Sequence, residues 1–566
     1  MAMNKLIRHR GPDNEAYSQS DFFTCGSSRL SIIDLNERSN QPMIDQTGRF
    51  TLIFNGEIYN YREVRSELET LGHKFSTSSD TEVVLISFIE WGIDCVNKFI
   101  GMFAFVIFDA LTRESFIFRD QLGIKPLYFC IHKKKLYFAS EIKAFSAVLD
   151  LKANYEKFGE YSMFGSISGS QTLFKEIFTL LPGHFMSVNH EVSYKIHQYF
   201  DIRESFYKQK SSGSLDELEA LLKDSILKHT RSDVDYGAQL SGGLDSSYVV
   251  AETALHKPRL ETFSVGLEGY ESLDESRYQT MCSDRFKTVH HSYYFKSEDF
   301  CNYLTKSIWF FDYPLHHPNI VPIHILCQKA KEKGLKVLLS GDGADELFCG
   351  YKWYFEKENS SKDKINNLIF ASAYNSPKNI SGSLSIANFN LDERKNIIKD
   401  IRDDTIAKLI LDQNYYLQKW LQRQDRMGMS SSVEIRVPYC NVQIAELMNS
   451  MTTSHKTKSL EKPKLLLKMI AEKYLPKELV WRNKIGFGIP LEDWFRQSGG
   501  LNSFIKYLKD DRFKDRQIYN LSFVDKLISD HLSAKANNGR ILWTLLNIEL
   551  WHRIFIDKSI DPLALN

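Results

Sequence analysis

Two textures of apolar and polar residues divide this chain. Between Phe22 and Phe138, the runs "RFTLIFNG", "GMFAFVIFDA", "SFIFRD" and "LYFASE" gather aromatic and β-branched residues into short stretches that suit a half-buried pleated surface, which predicts strands. Two segments change the period. "YREVRSELETLG" sets Val64, Leu68 and Leu71 at helical spacing, and "DTEVVLISFIEWG" predicts a second helix with Asp80 at its N-cap and Gly92 at its end. The pattern breaks near Phe200. "DIRESFYKQKSSGSLDE" is polar and Ser-rich, as a linker should be, and Ser214 then opens an amphipathic helix. From Asp235 short apolar runs alternate with helical ones: "YGAQLSGG", "SSYVVAETAL", "LETFSVGLE", "ESRYQTMCSDRF", "TVHHSYYF" and "LKVLLSGDGADELF". Such alternation predicts βαβ units and a parallel sheet. The remainder to Asn566 reads as helical, with a loop around "NSPKNISGSLS".

Composition narrows the class. At 566 residues, 43% of them apolar, the chain can bury large cores in two or three domains. Lys and Arg number 72 against 71 Asp and Glu, so no global field favours nucleic acid, and no basic stripe marks a nucleic-acid enzyme. The longest apolar runs fall far short of the roughly 20 residues that span a bilayer, and the start lacks a signal-peptide layout, so a cytoplasmic protein is expected. The 8 cysteines show no C-x-x-C spacing and are expected to be buried, reduced thiols.

The chemistry begins at "YGAQLSGGLDSSYVV", where an apolar strand passes through two glycines into a helix. Gly242 and Gly243 permit a turn that side chains would block, and amides at a helix start attract phosphate. The hydroxyls of Ser241, Ser246 and Ser247 add donors. Asp245 would repel that phosphate unless magnesium lay between them, which makes it the first metal candidate. "KVLLSGDGADELFCGY" repeats the design: Ser340 and Gly341 can approach a nucleotide closely, and Asp342, Asp345 and Glu346 crowd one turn with negative charge. Three acids so close together would be costly without a cation; the lesser alternative for Asp345 and Glu346, taken alone, is favourable placement at a helix N-terminus.

"LSGGLDSS", "LSGDGADELFCGY", "QDRMGMSSSVEIRVP" and "KIGFGIPLEDW", in this order, resemble the synthetase domain of the glutamine-dependent asparagine synthetase family. "HRGPD", "RLSIIDL", "FNGEIYNYREVR", "SDTEVVL", "GMFAFVIFD", "RDQLGIKPLYF" and "FASEIKA" resemble that family's glutaminase domain. The resemblance implies a multidomain α/β and α+β chain. Residues 1–200 would form a glutaminase-like sandwich of antiparallel sheets with flanking helices, residues 201–214 a linker, and residues 215–566 a parallel-sheet ATP-pyrophosphatase domain with additional helices. It also implies that ATP activates the side-chain carboxylate of aspartate as an acyl-adenylate, which ammonia converts to asparagine. Asp245 and Asp345 would hold Mg2+, Lys484 would supply a cation, and Leu240, Val265, Ser340 and Gly341 would hold adenosine. Asp342 stands where some members have Glu, at a position important for forming the adenylate. The partners implied are small molecules, namely aspartate, ATP, and glutamine or ammonia, together with a homodimer; neither nucleic acid nor membrane is implied.

By the same resemblance, Arg29 would pair with the glutamine carboxylate and Asp80 with its ammonium, while Asn55 and Gly56 would make the oxyanion hole beside Glu57. The family's nucleophile is an N-terminal cysteine ahead of a first strand, whose own amine is the base. Here Met1 to Lys5 leave no room for that strand before "HRGPD", and Cys25 is expected to be a packed thiol. The sequence as given is therefore expected to make amide from free ammonia only. A start assigned too late in the gene is favoured over a real truncation, because so much of the glutamine pocket is present. One departure, Cys440 and Asn441 where the family commonly has an apolar residue and Asp, keeps open a relative that amidates another carboxylate, such as a sugar acid. A non-catalytic relative that binds glutamine or nucleotide is a further alternative.

Overall fold

The structure is a computed structural model that describes residues 1–208, 214–356, 363–386, 389–456, 462–483, 486 and 488–564. Its N-terminal part is antiparallel. A hairpin joins β1 (Asn14–Gln19) to β2 (Thr24–Arg29). Six further strands form one sheet: β3 (Met43–Ile44), β4 (Phe50–Ile58), β5 (Gly101–Asp109), β6 (Glu114–Arg119), β10 (His184–Val188) and β11 (Tyr194–Gln198). A second sheet holds β7 (Tyr128–His132), β8 (Lys135–Ala139) and β9 (Phe178–Thr179).

Strand β5 explains the layering. Residues Met102 to Asp109 are all buried, so both faces of its sheet are covered. Phe103, Phe105 and Ile107 face a core with Val83, Val84 and Phe88 of the helix Asp80–Trp91, and the Phe105 and Phe118 rings stack at 4.5 Å. Ala104 and Val106 pack with Leu127 and Phe129 from the second sheet. This is the sandwich the family resemblance implies, built from the strands the apolar pattern predicts, with helices on its outer face.

The C-terminal part carries a parallel sheet in the order β14-β13-β12-β15-β16. Its strands are β12 (Tyr236–Gln239), β13 (Glu261–Leu267), β14 (Val289–Phe295), β15 (Val337–Leu339) and β16 (Glu434–Arg436). The helices Leu244–His256 and Ser276–Phe286 follow β12 and β13, as the alternation requires.

Several local readings change. Ser79, not Asp80, caps the helix Asp80–Trp91: its side chain accepts from Glu82 N, which frees Asp80 for another partner. Leu71 lies past the end of the helix Tyr61–Thr70 and is exposed, while Val64 and Leu68 are buried. Residues 204–207 of the expected linker form a short helix with Ser205 and Phe206 buried; residues 209–213 lie outside the described residues, and Ser214 caps the helix Leu215–His229. "NSPKNISGSLS" holds a helix, Pro377–Ser383, capped by Ser376. Strand β16 lies inside the region read as wholly helical, because three buried residues are too few to show a period.

Buried charges join the two parts. Arg10 donates through both guanidinium ends to Asp425 at 2.8 and 3.0 Å and to Glu141 at 3.0 Å. Glu141 also pairs with His9, Lys143 and Arg426. Lys125 reaches Glu434 at 3.2 Å, and Arg436 reaches both Glu434 at 3.0 Å and Glu57 at 3.2 Å. Burying this many ions is tolerable only because each faces an opposite charge.

Candidate active site

Strands β12 and β15 are neighbours, so the loops that leave their carboxyl ends meet, at the place where open parallel sheets bind ligands. The first loop is closed on itself. The Ser246 hydroxyl accepts from Ser241 N at 3.1 Å and lies 3.0 Å from Ser241 Oγ, and Gly243 N donates to Ser241 Oγ at 3.3 Å. Gly242 has a φ of +78°, a left-handed conformation that favours glycine. Leu240 is buried, with its amide donating to Phe263 O at 2.8 Å, and Val265 is buried on β13 beside it. Ser247 is fully buried, and among the described residues its hydroxyl has no hydrogen-bond partner.

The second loop presses on the first. A Cβ on Gly341 would lie 2.8 Å from Ser246 N and 3.0 Å from the Asp245 carbonyl carbon, so only glycine lets the loops come this close. Asp342 is held by three groups: Arg423 Nη2 donates to Oδ1 at 2.6 Å, and the Ser340 hydroxyl and Gln424 amide donate to Oδ2. Glu346 is buried, accepts from the Tyr351 hydroxyl at 2.7 Å, and is pushed up to about 8 by desolvation and the adjacent Asp345 charge.

One group that the sequence does not single out stands at the centre. Lys464 Nζ lies 2.6 Å from Asp245 Oδ2 and 2.6 Å from Asp345 Oδ1, so the two carboxylates converge on one point. Lys464 sits in "EKPKLLLK", where nothing separates it from its neighbouring lysines; only the tertiary fold brings it here. Among the described residues no three carboxylate, imidazole or thiol side chains gather as a metal cage. Magnesium in nucleotide sites commonly takes one or two carboxylates and completes its shell with phosphate and water, and the Asp245 and Asp345 pair fits that pattern. Lys484 lies outside the described residues.

The glutamine-side residues also cluster. The Arg29 guanidinium donates to the carbonyls of Ile33 at 3.0 Å and Asn36 at 3.1 Å, to the Asp34 carbonyl, and to Asn40 Oδ1 at 2.9 Å. Asp80 accepts from Ile58 N at 3.0 Å, and burial pushes its carboxyl up to about 7. Gly56 has a φ of +153°, and a Cβ there would strike Met102 O at 2.0 Å; Asn55 Nδ2 donates to Ser140 Oγ at 3.4 Å. Glu57 turns toward Arg436 of β16, and desolvation raises its pKa against the pull of that cation. Cys25 is buried in β2, and desolvation pushes its thiol up to about 12; the other seven cysteines are buried too.

A sequence model of the asparagine synthase family matches residues 217–553, and one of the glutamine amidotransferase domain matches residues 1–200. The chain belongs to the asparagine synthase family. Within that family it is 31% identical to asparagine synthetase (glutamine-hydrolyzing) 1 of Bacillus subtilis (strain 168), covering 100% of this chain and 95% of that protein. It is 28% identical to asparagine synthetase B (glutamine-hydrolyzing) of Escherichia coli (strain K12), over 86% of this chain and 78% of that one. Family members form carbon–nitrogen bonds as ligases, and this chain is an enzyme of that kind. Cys440 Sγ packs under Gly343, and Asn441 caps the helix Val442–Ser450 by accepting from Gln443 N at 2.9 Å, a role Asp fills equally well.

Proposed function

We propose that this enzyme amidates aspartate to asparagine through a β-aspartyl-adenylate. A carboxylate oxygen of aspartate attacks the α-phosphorus of ATP and the bond to pyrophosphate breaks; ammonia then attacks the acyl carbon, AMP leaves, and the surplus proton passes to solvent. The observation that carries this reading is the convergence of Asp245 and Asp345 at the mouths of adjacent parallel strands, beside Asp342.

Leu240, Val265, Ser340 and Gly341 form the adenosine side of the pocket, with Ser241, Gly242, Gly243 and Ser246 shaping the turn for phosphate. Asp245 and Asp345 would hold magnesium, which would supply positive charge beside the pyrophosphate. Lys464 stands ready to take the same role from the protein side, since an ammonium held between two carboxylates is poised to contact an arriving phosphate oxygen. Asp342, fixed by Arg423 and Gln424, organises charge where the acyl-phosphate forms. Cys25, the first cysteine in the chain, is buried with its thiol pushed up to about 12, which supports a reading in which the nitrogen comes from free ammonia.

Pyrophosphate release is the test. With ATP, Mg2+ and ammonium, aspartate is expected to drive release, and Asp245→Asn or Asp345→Asn to slow it roughly 100-fold or more. Glutamine in place of ammonium is expected to give no amide. Aspartate-independent release, or a faster reaction with a sugar acid, would overturn the assignment.

A further inference from the structure

The phosphate turn rests on a group that the adenylation reading does not use. Gly242 is pressed against the first turn of the helix Ser276–Phe286: a Cβ there would lie 3.1 Å from Glu275 O, from Tyr278 Cβ and from Gln279 N. Arg482 follows the helix Lys477–Trp481 and reaches the same place. Its Nη2 donates to Gly242 O at 2.9 Å and also to Glu275 Oε1, and its guanidinium carbon lies 4.3 Å from the centre of the Tyr278 ring. The side chain is only 9% exposed, and Nη1 has no hydrogen-bond partner among the described residues.

The bond to Gly242 O acts on the turn through a peptide plane. A trans peptide points its C=O and its N–H to opposite sides, so the guanidinium that holds Gly242 O also fixes where Gly243 N–H points. That N–H faces Ser241 Oγ at 3.3 Å, and Ser241 Oγ lies 3.0 Å from Ser246 Oγ, so the donor is turned to the inside of the loop. A bond this long to a neutral hydroxyl is one that a charged phosphate oxygen displaces. Two glycines make the orientation easy to lose. Gly242 at φ +78° and Gly243 at φ −78° carry no side chains, and glycine on both sides lets a peptide unit turn over at little steric cost. Turned over, it would present a carbonyl oxygen to the phosphate and repel it.

An ion pair between Arg482 and Glu275 would by itself only join the segment that ends at Arg482 to the helix Ser276–Phe286. That join is made twice without it, by Arg277 to Glu478 and by Arg285 Nε to Tyr474 O at 2.6 Å. We propose that Arg482 is a positioning residue for adenylation: it locks the Gly242–Gly243 peptide with its N–H facing the pyrophosphate part of the nucleotide. This rests on the amidation reading above. Arg482 needs no contact with substrate in this role, because it acts through the peptide.

The test is calorimetric titration of pyrophosphate with Mg2+, and separately of AMP, which lacks the pyrophosphate part, into the full chain. Arg482→Met is expected to weaken pyrophosphate binding about 20-fold and to leave AMP binding unchanged. Arg482→Lys, which can still donate to Gly242 O, is expected to restore most of the loss, and Glu275→Gln to stay within about threefold of wild type. Equal weakening of both ligands, or of neither, would mean a purely structural role and overturn the proposal. So would a Glu275→Gln chain that matches Arg482→Met, because the ion pair rather than the carbonyl bond would then matter. Should Arg482→Met not fold, Arg482→Gln, polar but too short to reach the carbonyl, carries the same expected contrast. A wild-type chain that binds neither pyrophosphate nor AMP defeats the proposal outright. If it binds them but aspartate drives no pyrophosphate release, the amidation reading fails separately, and the titrations still decide Arg482.

Discussion

Glu346 is a carboxyl that the fold keeps protonated near neutrality. Its folded pKa, raised to about 8, lies above the ordinary value of 4.5, so the folded chain binds a proton that the unfolded chain has released. The stability this group contributes is complete below the unfolded value and is lost as pH rises through the folded one. Glu346→Gln removes the titration, and the melting temperature of the variant relative to wild type is expected to climb between pH 5 and pH 8.5. A difference that stays flat would refute the shift. At this scale the sequence is uneven. Asp245, Asp342 and Asp345 stand out because each lies in a short glycine-bearing loop that follows an apolar strand, whereas Lys464 is an ordinary lysine until the chain folds. Asp80 was legible as a residue that matters and misread as a cap, since Ser79 before it is the better acceptor for the helix amides.

Elements were easier to find where they are long. β4 and β5 run nine residues each, and their apolar content announces them. β16 and the two-residue β3 and β9 cannot, because pairing rather than composition makes them strands. The helix Pro377–Ser383 carried a readable start, Ser376 then Pro377, that the surrounding glycine and serines obscured. The close approach of the two nucleotide loops has a test at this level. Gly341→Ala must push backbone atoms of Asp245 and Ser246 apart, with a cost of about 1–3 kcal/mol in urea unfolding and a loss of pyrophosphate release much larger than that cost alone explains. If the variant keeps wild-type turnover, the loops are not held as close as described.

For the whole molecule, the charges between its two parts are the least legible feature, because Arg10, Glu141 and the Asp425–Arg426 pair lie far apart in sequence and only their shared burial gives them meaning. Glu141 faces Arg10, Lys143 and Arg426 as well as the His9 ring, and against desolvation these partners hold its pKa well below the ordinary value. Its stabilising effect is therefore present above the unfolded value of about 4.5 and is lost only as pH falls through the depressed one. Glu141→Gln is expected to cost about 3–5 kcal/mol, equally at pH 5 and pH 8, in denaturant unfolding. A deficit confined to high pH would contradict the sign.

Arg436 gives this coupling a practical consequence. Its carbonyl accepts from Ser340 N at 2.8 Å, while its guanidinium holds Glu57 across the boundary. Splitting the gene after Ser214 would leave that cation, together with Arg426, facing a partner no longer covalently supplied. Each fragment made separately should be poorly soluble, and the two produced together should associate and regain the turnover that neither has by itself.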